Sequence, residues 1–321
     1  MAAITNVYTT ASAVGVREDL TDRIHRVDVE DTPFMSSVGS TTSMNTTHEW
    51  QTRALNSVDT DNAKPEGQST SRAASTSNVR LNNLCQISEK NATVSGTMEA
   101  VDKAGRDSEM AIQMADRTIE LRKDMEAILL SNQARNPSAS VGGETVRQLR
   151  GFEAWIRTNT SRGGGAGADP ADPNVTPSTT ATDGDQRAFT EELLLDTMEE
   201  VFNSGGNVSM ALMGSYNKRV ASGFTGRDAS QVMVGKGEIR QAASLYDSDF
   251  GVIRLKPHRY MRSRTCLLID PDNVKVAYLR KFKRFPLGQV GDGETRVILS
   301  EYTLEMSNEK AHGVVADLTT T

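Results

Sequence analysis

A polar stretch rich in threonine, serine and asparagine over residues 44–96 runs abruptly into one long amphipathic helix predicted over 107–134. Met114, Leu121, Met125 and Ile128 fall on one face of that helix, flanked by Ala111, Ala115 and Leu129, and Arg117, Glu120, Lys123 and Asp124 line the other. At 1.5 Å per residue such a rod spans about 40 Å, long for a globular domain. Asp107 or Ser108 stands where an N-cap belongs, and Asn136-Pro137 is the predicted stop. A polar arm hinged to a rigid rod is an unusual layout for an enzyme. It suits a subunit that reaches its neighbours.

The arm has internal order. Met44 to Leu55 and Val79 to Thr97 carry strand-forming residues, and Asn56 to Asn78 between them is almost wholly polar, with Pro65-Glu66-Gly67 at a turn. This predicts a two-stranded hairpin with a free tip, and an isolated hairpin needs another surface to settle on. Ahead of it, Val16, Leu20, Ile24 and Val27 predict a short amphipathic helix that Pro33 ends.

Beyond the rod, Gly151-Phe152-Glu153-Ala154-Trp155-Ile156 is a short aromatic segment expected to pack on the core. Residues 162–185 offer little to bury and read as a mobile surface loop. Thr190 caps a predicted helix with Leu194, Leu195, Met198, Val201 and Phe202 on its apolar side, closed by Gly205-Gly206. Val208 to Met213 predicts a buried strand and Ser215 the cap of a short helix closed by Gly223. Further strands are expected at 230–235, 250–256, 264–270, 273–279, 296–305 and 313–318. The stretch beyond 190 alternates in an α/β manner, and the whole chain is expected to be α+β.

With 321 residues, 37% of them hydrophobic and 5% aromatic, the chain can form real cores but leaves much of itself for arms and contacts. Cys85 and Cys266 are too far apart for a metal or redox pair and are expected to be buried free thiols. No apolar run reaches bilayer length, and no secretory leader pattern is present, so a soluble chain made in the cytoplasm is expected. The net charge of −6 hides a basic segment: residues 254–284 hold ten basic residues and two acids. Arg254, Lys256, Arg259, Arg262, Arg264, Arg280, Lys281, Lys283 and Arg284 are its candidate contacts. They would meet either nucleic-acid phosphates or acids such as Glu191, Glu192, Glu199 and Glu200 on a neighbouring subunit. On the arm, the candidate inter-subunit residues are Trp50, Arg53, Lys64, Glu66, Arg72 and Arg80.

Catalytic patterns are missing. His48-Glu49-Trp50-Gln51-Thr52 lacks the second histidine of a zinc helix, and the four histidines are scattered. Gly235-Lys236-Gly237-Glu238 is neither a phosphate loop nor a dinucleotide fingerprint, and no G-x-S-x-G elbow occurs. Asp270-Pro271-Asp272-Asn273 reads as a turn, since Val274 stands where a calcium loop needs oxygen. The chain is therefore expected to be no enzyme and to hold no cofactor and no metal.

An ordered series of segments resembles the major capsid proteins of tailed bacteriophages with a Hong Kong 97-type fold. It comprises Asp31-Thr32-Pro33-Phe34, Val94-Ser95-Gly96-Thr97, the 151–156 segment, Ser248-Asp249-Phe250-Gly251 and Leu268-Ile269-Asp270-Pro271-Asp272. It continues through Ala277-Tyr278-Leu279-Arg280, Gly291-Asp292-Gly293-Glu294 and Glu301-Tyr302-Thr303-Leu304. The resemblance implies an N-terminal arm (1–43), an E-loop (44–96) and a peripheral domain with spine helix (97–150) completed by 286–321. It implies an axial domain over 151–285. It further implies hexamers and pentamers of an icosahedral virion shell around double-stranded DNA, with portal, scaffolding or decoration proteins as possible partners. An encapsulin-like nanocompartment subunit shares the same fold and is the alternative; a nucleic-acid-binding protein using 254–284 is the other.

Overall fold

The computed structural model describes residues 31–56, 58–69, 77–172, 179–224, 245–289 and 291–321. The helix predicted at 16–27, the strand at 230–235, the turn at 235–238 and Arg72 lie outside them. The chain opens with α1 (Pro33–Ser37), β1 (Gly39–Thr42), β2 (Thr47–Thr52), β3 (Val79–Leu84), β4 (Gln86–Ser95) and α2 (Gly96–Ala100). The long helix α3 (Glu109–Leu129) follows, then β5 (Asn136–Val141), β6 (Glu144–Gln148), α4 (Phe152–Trp155) and β7 (Thr160–Ser161). The remainder runs α5 (Glu191–Asn203), β8 (Met210–Met213), α6 (Ser215–Ala221), β9 (Leu245–Ser248) and β10 (Gly251–Pro257). Last come β11 (Cys266–Ile269), β12 (Val274–Pro286), β13 (Gly293–Met306) and β14 (Gly313–Val315).

Two sheets carry the molecule. One has the order β1-β12-β13-β4; the other is mixed, with the order β7-β14-β11-β8-β10-β9. Helix α3 packs across β4 and β13. Its Met110, Met114, Leu121, Met125 and Leu129 are buried. Removing each such side chain from water is worth about 1.5–3 kcal/mol, so the apolar stripe, rather than intrinsic propensity, fixes the rod. Ser108 is the N-cap, its hydroxyl accepting the Ala111 N–H at 3.2 Å. The helix stops at Leu129, short of the predicted 134, and Asn136-Pro137 lies inside β5 instead. Residues 136–148, expected as a loop, form a hairpin through Gly142 and Gly143, whose φ values of 60° and 87° suit a two-residue primed turn.

The core of the first sheet continues onto one face of the second through Leu212, Leu267, Ile269 and Val314, with Phe152, Trp155 and Ile156 between them. On the opposite face, Ala211, Met213, Ile253, Leu255, Cys266 and Leu268 pack with Leu194, Met198 and Val201 of α5. Thr190 caps α5 as predicted, and Gly205, at φ 85°, closes it in the left-handed conformation. Helix α6 is capped by Gly214; Ser215 is already helical. Pro271–Asn273 is a 3-10 turn with the Asp270 carboxylate accepting the Asp272 N–H at 3.1 Å. Both cysteines are buried free thiols.

The chain crosses between sheets at points that do not follow the expected domain limits. β12, most of it within 151–285, belongs to the first sheet, and β14, within 286–321, belongs to the second. The strand expected over 79–97 is two strands: β3 pairs with β2 in the projecting hairpin, and β4 pairs with β13.

Candidate assembly surfaces

The hairpin of β2 and β3 is held at its base, and the described residues farther out are exposed. Trp50 rests on Trp155 with ring centroids 5.5 Å apart, and His48 Nε2 lies 2.8 Å from Glu305 Oε2. Asn83, fully buried, donates to the carbonyls of Arg150 and Leu304 and accepts the Arg150 N–H at 2.8 Å. Arg80 reaches Glu49 across the strands at 3.4 Å, both exposed, a pair of little energetic weight. Farther out, Leu55 and Val58 are at least 90% exposed, as is Met44 beside the base, and Arg53, Lys64 and Glu66 are exposed too. Trp50 therefore anchors the arm to its own chain, and the described outer residues stand exposed.

A second knot joins α1 to the rod. The Glu126 carboxylate accepts the backbone N–H groups of Phe34 at 2.6 Å and Met35 at 2.9 Å and stands 3.0 Å from His258 Nε2. Both side chains are 0% exposed. His258 Nδ1 accepts the N–H groups of Tyr260 and Met261, so Nε2 carries the hydrogen that it donates to Glu126. Three distant segments meet at this carboxylate. Sequence reading missed it, because Glu126 looks like one more acid on a charged helix face.

The basic segment does not form one surface. Arg262 binds the buried Glu153 at 2.7 Å and also Asp183, and Arg264 binds Asp183 and the buried Asp317 at 2.8 Å. Arg280 shares Glu301 with Arg147, at 2.8 and 2.7 Å. Arg284 donates to Thr118 Oγ1 of α3 at 2.9 Å. Arg254, Arg259, Lys281 and Lys283 are exposed, and Lys256, half-buried, donates to Ser37 Oγ. Charge pairing within the chain consumes the middle of the predicted stripe.

Those ion pairs also fasten the described parts of the 162–185 stretch, expected to be loose. Asp317, at φ 60°, accepts the Gly163 N–H at 3.0 Å. A Cβ on Gly163 would run into the Asp185 carbonyl and Asp317. Polar anchoring replaces the missing apolar residues there.

Burial pushes the Glu153 carboxyl up to about 7, against the pull of Arg262 and Arg162. The folded chain then holds a proton that the unfolded chain releases near its ordinary value. The stability this contributes is full below about pH 4.3 and is lost as pH rises through about 7. His312, pushed down to about 4 by burial, acts oppositely: its contribution is present above about pH 6.5 and lost toward pH 4. Glu153→Gln should therefore lose a component of about 3 kcal/mol from the fall in unfolding free energy between about pH 5 and pH 8. Denaturant melts of both proteins across that range check it; parallel profiles would clear Glu153 of the effect.

Among the described residues, no group of three or more histidine, cysteine or acidic side chains is placed to hold a metal ion, and no helix is long and apolar enough to cross a membrane. The described surfaces instead supply a projecting arm, a rigid rod and exposed apolar and charged patches. The SU10 major capsid protein family model matches residues 3–319. The chain belongs to that family. It is 26% identical over 315 residues to the major capsid protein of Escherichia phage Phieco32, covering 89% of this chain and 90% of that one.

Solved capsid structures share the fold. The match to the Microbacterium phage Oxtober96 chain has a TM-score of 0.63 at 11% identity and covers 97% of this chain and 99% of that one. The capsid of Cyanophage P-SCSP1u gives 0.61 at 11% identity, covering 99% and 97%. The mature capsid of bacteriophage PhiM1 gives 0.61 at 8% identity, covering 100% and 97%. The fold is the Hong Kong 97-type capsid fold, α+β, and the subunit is a structural element of a phage virion capsid. The nanocompartment reading loses its ground, since family and relative are phage capsid proteins.

Proposed function

We propose that this capsid subunit closes into hexamers and pentamers of an icosahedral head around double-stranded DNA, without catalytic activity of its own. In this reading the four-stranded sheet with α3 is the peripheral domain and the six-stranded sheet with α5 and α6 is the axial domain. The hairpin from 44 to 84 is the arm that lies on a neighbour. The observation that carries it is the contrast along that hairpin: Trp50 and Asn83 fix its base, and Leu55 and Val58 stand in solvent. Apolar side chains so exposed on a projecting element mark a contact with another molecule. Many such arms around a ring add weak contacts through high effective concentration. Arg259, Lys281 and Lys283 are the exposed cations left for packaged DNA, and portal, scaffolding or decoration proteins are the further partners.

Replacing residues 56–78 by a short Gly-Ser link tests the arm. The variant should keep the thermal midpoint of the native fold and fail to form closed shells in electron micrographs. Shells of native size and yield would overturn the reading.

A further inference from the structure

One cleft remains unexplained by the arm. It has a volume of about 570 Å³ and lies between α1 and the β9–β10 edge of the six-stranded sheet. Alternation along β10 puts Val252, Arg254 and Lys256 on one face, and Leu245 of β9 stands opposite Arg254. Ser37 and Ser209 also line it. Leu245 and Val252 are 57% and 52% exposed. Two cations and two bare apolar side chains thus share one opening. Asp247, across from Val252 on this face, offsets only one of the charges.

The complementary surface is on the same chain. Helix α5 buries Leu194, Met198 and Val201, and the turn-by-turn repeat exposes Glu192, Asp196, Glu199 and Glu200 on the other side. Phe202, 58% exposed, ends this acidic face with an apolar group. The Glu200 carboxyl is raised by burial and further by Asp196, Asp169 and Glu199, so these acids repel one another in the isolated subunit. Glu191 is excluded, since its carboxylate accepts the Tyr246 hydroxyl at 2.6 Å.

We infer that the acidic face of α5 in one subunit seats in the α1/β9–β10 cleft of the next. The two patches cannot meet within one chain. Ile253 and Leu255 of β10 face α5, and Arg254 and Lys256 point to the opposite side of the sheet. Joining two different patches on identical copies makes a heterologous contact, which generates rings when the rotation closes. The inference rests on the shell reading and adds both sides of one contact within the ring.

Three variants test it: Arg254→Glu with Lys256→Glu, Glu199→Lys with Glu200→Lys, and all four together. Arg254, Glu199 and Glu200 are exposed and Lys256 is half-buried, and thermal midpoints establish that each variant folds. Each pair alone should cut the yield of assembled particles by about tenfold or more, because like charges then face each other. The fourfold variant, whose net charge equals the native one, should recover to within about threefold of native yield. Native yield from either pair, or a fourfold variant no better than the pairs, overturns the contact. Sensitivity of the cleft pair alone would assign the cleft to an acidic segment of a different protein and also overturns it. The unsubstituted chain is the control: its failure to assemble counts against the shell reading itself.

Discussion

Glu126→Ala is expected to cost about 3–5 kcal/mol of folding free energy, because it strips a buried polar network of its shared acceptor. The N–H groups of Phe34 and Met35 and the Nε2–H of His258 would all lose their partner, at a site where the Glu126 and His258 side chains are both fully buried. Denaturant titration followed by far-ultraviolet circular dichroism measures it. Glu126→Gln keeps the volume and one acceptor oxygen, so its loss should be smaller. A loss below about 1 kcal/mol for the alanine variant would mean that the three donors find other partners, and the knot would not be what binds α1 to the rod.

Trp155→Ala should be comparably damaging, about 3–5 kcal/mol, since it empties a large site in the main core. Trp155 is 1% exposed, carries Trp50 on one side, and has the Arg150 guanidinium 4.8 Å from its ring centroid. The chain has two tryptophans, so the variant leaves Trp50 as sole indole reporter at the hairpin base. Its emission should move to longer wavelength as the ring gains water, and protease should cut the hairpin faster. Unchanged emission in a destabilised protein would separate core packing from anchoring of the arm.

What the sequence made legible were features written locally. The stripe of α3, its Ser108 cap, the Thr190 cap of α5 and the hairpin flanks all follow from neighbours in the chain. The break at Cys85 goes with a change of parity: β3 buries Leu81 and Asn83, with Leu84 beside the break, and β4 buries Ala92 and Val94. A single regular strand cannot switch faces in that way. The Gly142-Gly143 turn was likewise readable from its dipeptide. The Glu126–His258 pair was not, because the partners are 132 residues apart. The basic segment misled for a related reason. Its local charge is real, yet Glu153, Asp183, Glu301 and Asp317, which neutralise much of it, are brought there only by the fold.

The order of strands also sets when the subunit can exist. β13, an interior strand of its sheet, joins β4 to β12 across about 200 residues of chain in one direction, and β14 sits inside the other sheet between β7 and β11. Neither sheet can close before its latest strand has been made, since long-range pairing must await that partner. A chain that has not reached β13 thus has neither sheet complete. Copies interrupted before β14 lack an interior strand of the six-stranded sheet, and topology alone keeps them from presenting a finished surface.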